Sequence, residues 1–405
     1  MGKKIKSMMC WIIIPILLIT LVAYYKVQNI PTTIFIREGQ NLKSDTLVKV
    51  CEKNSNENLR NRIGKDRKAS VNVLGVFPVK SVSIKSVSND IVLYPGGQPI
   101  GVKLNTKGVL VVALSDIKTD KGKTTSPAAT AGIQIGDNII KINGMEMKNS
   151  EQTQNQINNC EGKNLKVLIE RKGQQIEVEV KPVKGLDDNK YKVGLWIRDS
   201  TAGVGTLTFY DEKSGTFAAL GHPITDVDTG TILNINSGEI VSSSIISVKK
   251  GLRGNPGELK GIFVNEESTL GQIYKNTECG VFGKSNSKLT NKFSKPIKVA
   301  LRNEIKEGPA KILTTIDGEE PKSYDIQIEK LLSQDSPGPK SMVIRVTDQK
   351  LLEKTGGIVQ GMSGSPIIQD NKIVGAVTHV LINKPDVGYG IYIEWMLKDA
   401  NILSK

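Results

Sequence analysis

A chain of 405 residues exceeds what one ordinary hydrophobic core organises, so two or three domains with linkers are expected. With 38% hydrophobic residues, 39 glycines and only 5% aromatics, the composition excludes bulk disorder and suits a β-rich protein with many tight turns. The net charge of +14 invites a nucleic-acid reading, but the basic residues are scattered without an aromatic-interleaved basic motif, which argues against that partner and leaves an anionic membrane surface or plain solvation.

In chain order, residues 1–7 form a short basic segment with Lys3, Lys4 and Lys6, and residues 8–25 carry no charge. A run of about 18 uncharged residues is near the lower limit for spanning a bilayer. The preceding lysines keep the N-terminus in the cytoplasm and send the rest across. Leu21-Val22-Ala23 is a poor cleavage site, so an uncleaved signal anchor is preferred to a cleaved signal peptide. Residues 26–70 are polar and charged, apart from a strand at Thr32 to Arg37, and read as a stalk open to proteolysis. Residues 71–100 read as a β-rich connector.

Residues 101–183 carry the signals of one small domain. Gly108 opens the buried-strand run Val109-Leu110-Val111-Val112, and Ser126-Pro127-Ala128-Ala129 leads into the run Ala131 to Gly144. Asn143-Gly144 and Lys172-Gly173 are hairpin turns, and Asn149 caps a helix reaching about Cys160. The segment resembles a PDZ domain. The resemblance implies that a peptide adds as a strand beside Val109 to Val112, with its terminus near Gly108, so that Gly108, Val109, Leu110 and Val111 form a peptide site. An intramolecular cover or spacer is the competing role.

Residues 190–405 read as strand after strand between Gly and Asp turns, ending in a helix that starts near Glu394. The fold expected is therefore mainly β with some helix: an N-terminal transmembrane helix, a PDZ domain, then a chymotrypsin-like double β-barrel. Gly361-Met362-Ser363-Gly364-Ser365-Pro366 carries the strongest chemical signal. A serine between glycines permits a tight backbone that presents Oγ, while the Gly361 and Ser363 amides converge on a developing oxyanion. Such a serine needs a base, and the chain has only two histidines, His222 and His379. His222 closes the apolar run Thr216 to Gly221 and precedes Pro223, as a base at a strand end would. His379 falls on the strand after the serine, where core or substrate-lining roles are usual.

Asp226 and Asp228 lie just past His222 and suit either an acid or a turn. Four scattered cysteines, Cys10, Cys51, Cys160 and Cys279, without a CxxC or paired histidines, point to no metal and no disulfide framework, and no cofactor is implied. The segments PGGQPIGVKLNTKGVLVV, GHPITDVDTG, IVQGMSGSPIIQDNKIVGAVTHV and GYGIYIEWML together resemble the stage IV sporulation protein B serine peptidase family. The resemblance implies catalytic Ser363, His222 and Asp348, the last being the member that spacing alone leaves open against Asp226 or Asp228. It also implies a forespore-secreted signalling endopeptidase that works between two membranes. Such an enzyme cuts its own stalk and a membrane-bound regulator, releasing an intramembrane protease and a late mother-cell sigma factor. A PDZ-bearing adaptor with a decayed protease fold is the alternative from another class.

Overall fold

The computed structural model describes residues 2–28, 30–40, 47–52, 67–286, 289 and 293–403; the side chains of 2–12, 15 and 16 lie outside that description. The apolar N-terminal run lies in helix α1, Gly2–Gln28. Ile14, Leu17, Leu18, Leu21, Tyr24 and Tyr25 are more than half exposed, while Ala23 and Val27 are buried. Among the described residues no helix is long and apolar enough to cross a membrane.

The expected stalk contains structure. Strands β1 (Thr33–Arg37), β2 (Val48–Glu52), β3 (Arg67–Val73) and β4 (Phe77–Val87) form a four-stranded sheet in the order β1-β4-β3-β2. Its small core comprises Val27, Ile36, Val48, Ala69, Val71, Val82 and Ile84. The strand expected at Thr32 to Arg37 is β1, while β2 and the start of β3 fall within the expected stalk and the rest of β3 with β4 in the expected connector. Arg37 docks this sheet on the body of the protein, bonding the Ser88 carbonyl at 3.0 Å and pairing with Glu304 at 3.1 Å. Much of the expected self-cleavage stretch, residues 41–46 and 53–66, lies outside the described residues.

Strand β5 (Val92–Pro95) leads to the long strand β6 (Pro99–Leu114). A short hairpin, β7 (Ile117–Thr119) with β8 (Gly122–Thr124), precedes helix α2 (Pro127–Thr130), whose start is fixed by Ser126 Oγ accepting from the Ala129 amide at 3.2 Å. Then come β9 (Asn138–Ile142), β10 (Met145–Glu146), helix α3 (Ser150–Asn158), β11 (Leu165–Arg171), β12 (Gln174–Val180), β13 (Val183–Lys184) and β14 (Tyr191–Lys192). The expected turns are present: Asn143 and Gly144 have φ of 50° and 81°, and Lys172 and Gly173 have 50° and 79°. Val109, Val111, Ile139, Ile142, Leu165, Val167 and Ile169 build this domain's core. Asp137, 1% exposed, is held by Arg171 at 2.6 Å.

Strand β15 (Leu195–Asp211) is followed by β16 (Thr216–Ala219), β17 (Ile235–Lys249), β18 (Glu258–Phe263), β19 (Thr269–Thr277) and β20 (Gly280–Ser285). Pairing runs β6-β15-β16-β20-β19-β17 and back to β6, closing a barrel around Ile100, Leu104, Leu207, Phe217, Ile240, Ile273 and Val281. After β21 (Ile297–Val299), a second barrel is built from β22 (Gly308–Thr314), β23 (Lys322–Leu331), β24 (Met342–Val346), β25 (Pro366–Gln369), β26 (Lys372–Leu381) and β27 (Lys384–Tyr392). It closes in the order β22-β23-β24-β27-β26-β25, with Ile312, Ile326, Ile344, Ile367 and Val377 inside. Helix α4 (Gln349–Thr355) precedes β25, and α5 (Ile393–Asp399) ends the fold. Each fully buried aliphatic side chain contributes about 1.5–3 kcal/mol, so the two barrel interiors are major sources of stability.

The expected boundaries are crossed by two strands. The first half of β6, counted above within the PDZ-like domain, is a stave of the first barrel, where Ile100, Val102 and Leu104 face inward. The first residues of β15, counted with the barrels, pair with the PDZ-like half of β6. A strand of 16 residues can serve two cores because each half satisfies its own period-2 pattern.

Helix α5 is clamped by Arg302, which meets buried Glu394 at 2.9 Å and covers the Trp395 ring at 4.6 Å. Burial raises the Glu394 pKa, although Arg302 opposes the shift. Arg302→Ala strands this carboxylate and should destabilise the protein by about 3 kcal/mol near neutral pH. Because protonation relieves a stranded carboxylate, the loss should shrink as pH falls toward 5; chemical unfolding of both proteins at the two pH values measures it.

Candidate active site

The two barrels meet along a cleft of about 600 Å³ whose lining includes Leu220, His222, Gly361, Ser363, Thr378 and His379. The structure therefore brings together both histidines, the candidate nucleophile and both residues named as oxyanion donors, Gly361 and Ser363. The serine loop is shaped by two left-handed glycines, Gly361 (φ 96°) and Gly364 (φ 98°). A Cβ on Gly364 would lie 2.2 Å from the Thr206 carbonyl oxygen and 2.5 Å from the Leu220 nitrogen, so only glycine lets these backbones approach. The Gly364 amide bonds the Val377 carbonyl at 2.8 Å, and the Ser365 amide bonds Met362 at 3.0 Å. The Gly361 and Ser363 amides donate to no group among the described residues, as an anion-binding pair requires.

Ser363 Oγ donates to the Thr378 carbonyl at 2.8 Å. The hydroxyl thus rests on the neighbouring strand β26, and its proton is not on His222. His222 is aimed by an unusual approach: Leu220 and Gly221 both have φ of 70°, and the Gly221 amide bonds back to Ala219 at 2.9 Å. A non-glycine residue at the centre of such a tight turn is strained. The ring's Nδ1 lies 2.8 Å from the Pro223 carbonyl. A carbonyl can only accept, so Nδ1 carries the proton and Nε2 presents its lone pair.

Among the described residues no carboxylate orients this imidazole. Asp348, the acid implied by the family resemblance, caps α4 by accepting from the Leu351 amide at 3.0 Å. It lines a different cleft, with Ile316, Asp317 and Tyr324, that shares no lining residue with the Ser363 cleft. The resemblance carried Asp348 over by position, and in the structure this aspartate just before a short helix satisfies the helix N-terminus. Asp226 and Asp228 are turn residues instead of acids. Buried Asp226 accepts from the Asp228 and Thr229 amides at 3.1 and 2.9 Å and pairs with Arg198, whose other nitrogen meets Asp228 at 2.7 Å. Burial works to raise the Asp226 pKa, but the Thr229 bonds and Arg198 outweigh it and the net shift is downward.

His379 lines the cleft, one of the two roles its place on the strand after the serine suggests. Its ring centroid is 5.1 Å from that of His222, at an interplanar angle of 47°. Burial, then the charge that His222 would carry when protonated and the Lys340 ammonium, lower its pKa to about 4, so it is a neutral wall of the cleft. The signal that it lies in the cleft was its strand register: Thr378 and His379 follow the buried run Ile373 to Val377.

Both edges of the expected receptor strand are taken by strands of the fold itself. One edge of the Val109 to Leu114 stretch pairs with β9, through Val109 with Ile139 and Leu110 with Asn138. The other edge pairs with β15, through Leu114 with Leu195, Ala113 with Trp196, Val111 with Ile197 and Leu110 with Arg198. Gly108, Val109, Leu110 and Val111 therefore offer no free strand edge to an incoming peptide, contrary to the reading from sequence. The residues are as expected, but a strand edge cannot be known to be vacant until every other strand is placed.

A cleft between two closed barrels with a glycine-framed serine, a neutral histidine and open amides defines a serine peptidase carrying a PDZ domain. The chain belongs to the SpoIVB peptidase S55 family, which it matches over residues 189–397, and residues 96–181 match the PDZ domain. Among curated proteins it is 29% identical over 102 residues to one from Lactococcus lactis and 27% identical over 128 residues to one from Vibrio cholerae, each named as a zinc metalloprotease. These matches cover 25% and 31% of this chain and span only 22% and 26% of those relatives. Similar solved structures include the PDZ domain of an SdrC-like protein of Listeria monocytogenes (22% identity, 22% of this chain and 87% of that one, TM-score 0.19). Others are the active form of the Rv3671c protease of M. tuberculosis (12%, 50% and 74%, 0.30) and the HtrA-type protease AlgW (10%, 54% and 55%, 0.28).

Two outcomes test this geometry. Asp348→Asn keeps a capping oxygen and is expected to leave the rate of Ser363 labelling by a fluorophosphonate within about threefold, whereas loss of a true imidazole orienter costs about 10⁴-fold. Burial, the largest influence, lowers the His222 pKa, with the Pro223 bond opposing. The base is needed neutral, so labelling should persist below pH 6.5 and fall only as pH drops through that lowered value; a rate profile against pH reads it.

Proposed function

We propose that this peptidase is a sporulation signalling endopeptidase in which Ser363 is the nucleophile and His222 the general base. The observation that carries the reading is that Ser363, the unpaired Gly361 and Ser363 amides and the Nε2 side of a tautomer-fixed His222 belong to one cleft. In the first step Ser363 Oγ leaves the Thr378 carbonyl and turns toward His222 Nε2. The proton passes to Nε2 as Oγ bonds the scissile carbonyl carbon, and the oxyanion forms against the two amides. His222 returns that proton to the leaving amine as the peptide bond breaks. Water, deprotonated by the same nitrogen, then cleaves the acyl-enzyme and frees Ser363.

Membrane attachment belongs to this proposal. Lys3, Lys4 and Lys6 precede the uncharged run 8–25, and the exposed apolar side chains of α1 suit lipid. The catalytic domain then lies outside the cytoplasm, secreted from the forespore into the intermembrane space. Its protein substrates are its own segment between residues 42 and 70, whose removal frees a soluble form, and a membrane-bound sporulation regulator. Cutting the latter relieves an intramembrane protease and activates a late mother-cell sigma factor. Family membership supports this assignment.

Purified protein lacking residues 1–26 should yield a stable shortened fragment whose new N-terminus falls between 42 and 70, while Ser363→Ala and His222→Ala remain intact. A first cut inside the PDZ domain or the barrels would refute the placement. In sporulating cells, comparison of protein termini with and without Ser363→Ala should reveal one or a few missing cuts, including one in a membrane protein.

A further inference from the structure

None of the described residues that line the catalytic cleft carries a formal charge, in a chain where 24% of residues do. Beyond the catalytic groups the larger lining side chains are mostly aliphatic, among them Val227, Ile358, Val359, Val380 and Ile382. Lys340 sits 5.2 Å from the Tyr389 ring centroid and is not part of that lining. A charged substrate side chain drawn into the cleft would therefore shed water without meeting a counter-ion.

The backbone around Ser363 fixes which part of the cleft receives the residue under attack. Strand β26 pairs with β25 only as far as Ala376 and with β27 along its other edge, and among the described residues no strand pairs with the β25-side edge at Thr378 to Val380. An extended substrate can add there as a further strand. Departure of the Ser363 hydroxyl frees the Thr378 carbonyl to accept the substrate's amide. With the scissile carbonyl turned to the Gly361 and Ser363 amides, the side chain of that substrate residue points into the slot between Thr378–Val380 and segment 358–361, which leads into Ser363.

The floor of this slot is Ile358. Its amide bonds the Pro385 carbonyl at 2.8 Å, and a Cβ on the preceding Gly357 would lie 2.1 Å from the same oxygen, so backbone packs on backbone and the segment cannot retreat. A Cβ on Gly388 would lie 2.6 Å from Ile358 Cδ1, so the isoleucine already fills the space between its own segment and β27. It is 3% exposed yet lines the cleft, presenting only its edge to what enters.

We propose that Ile358 sets the specificity of this peptidase by closing the slot beside Ser363, so that the enzyme cuts after a small aliphatic residue, alanine or valine, and rejects charged and aromatic residues there. This deepens the reading of Ser363 as nucleophile and rests on it.

Full-length protein treated with peptidyl diphenyl phosphonates, identical except for Ala, Val, Phe, Lys or Asp at the reacting residue, provides the test, because phosphorus bonds Ser363 Oγ as phenoxide leaves and the variable side chain enters the slot. Wild type should be inactivated by the Ala or Val member about 10- to 100-fold faster than by the other three. Ile358→Ala deepens the slot, and the ratio of the Phe rate to the Ala rate should rise by about tenfold or more. Ile358→Val removes a single methylene and should move the ratio the same way by less, which keeps the test open if the alanine variant does not fold. Taking the ratio within each protein cancels any loss of folded enzyme.

Fastest inactivation of wild type by the Phe, Lys or Asp member, equal rates across the series, or a ratio unmoved in both variants would overturn the role of Ile358. So would a wild type that labels with a plain alkyl fluorophosphonate but with no member of the series. A wild type that ignores the alkyl fluorophosphonate as well would instead sink the assignment of Ser363, and the slot with it.

Discussion

The antiparallel ladder between β6 and β15 is the interaction on which the rest of this molecule depends. It runs from Leu114 with Leu195 to Pro99 with Thr206, with register shifts near Ile197 and Ser200, and it belongs to two domains at once. At one end it completes the PDZ-like domain; at the other it supplies two neighbouring staves of the first barrel. Backbone hydrogen bonds in a ladder are individually modest but geometrically strict, because slipping by one residue turns every side chain to the wrong face. With apolar cores at both ends, the register is fixed twice. The two domains are consequently joined by a rigid ribbon, unlike domains separated by a free linker.

That rigidity suits a catalytic centre assembled without a carboxylate. In the familiar triad an acid selects the histidine tautomer and stabilises the imidazolium. Here the Pro223 carbonyl performs the first task at 2.8 Å but brings no charge for the second. Burial already disfavours the imidazolium, so the catalytic load shifts toward the oxyanion side and toward accurate placement of the serine loop. The close approach of Gly364 to Thr206 and Leu220 provides that placement by packing backbone on backbone.

Much of the architecture was legible in the sequence because it is written in local rules. Paired turn residues such as Lys172-Gly173 mark hairpins, Asn149 marks a helix start, and the glycines around Ser363 mark a loop that other residues cannot form. What local rules cannot convey is commitment. Asp348 has the right type and a suggestive position, yet its oxygens are taken by the amides of Leu351 and Asp325. Val109 to Val111 have the right pattern for a receptor strand, yet the partner that pairs with them lies more than eighty residues on in the chain. The small N-terminal sheet shows a third limit: a strand near Thr33 and a β-rich stretch from Val71 are legible one by one, but their union is not, because β1 crosses over to lie parallel to β4 some fifty residues on.

The Arg198 clamp also limits how freely the loop after His222 can vary. Arg198 stands on the ladder opposite Leu110 and pairs with Asp226, which is 2% exposed, and with Asp228. Moving that loop away from the ladder would leave the Asp226 carboxylate buried without its cation. The segment next to the catalytic base is therefore tied to the domain ahead of the barrels, and sequence change there is constrained from outside the cleft.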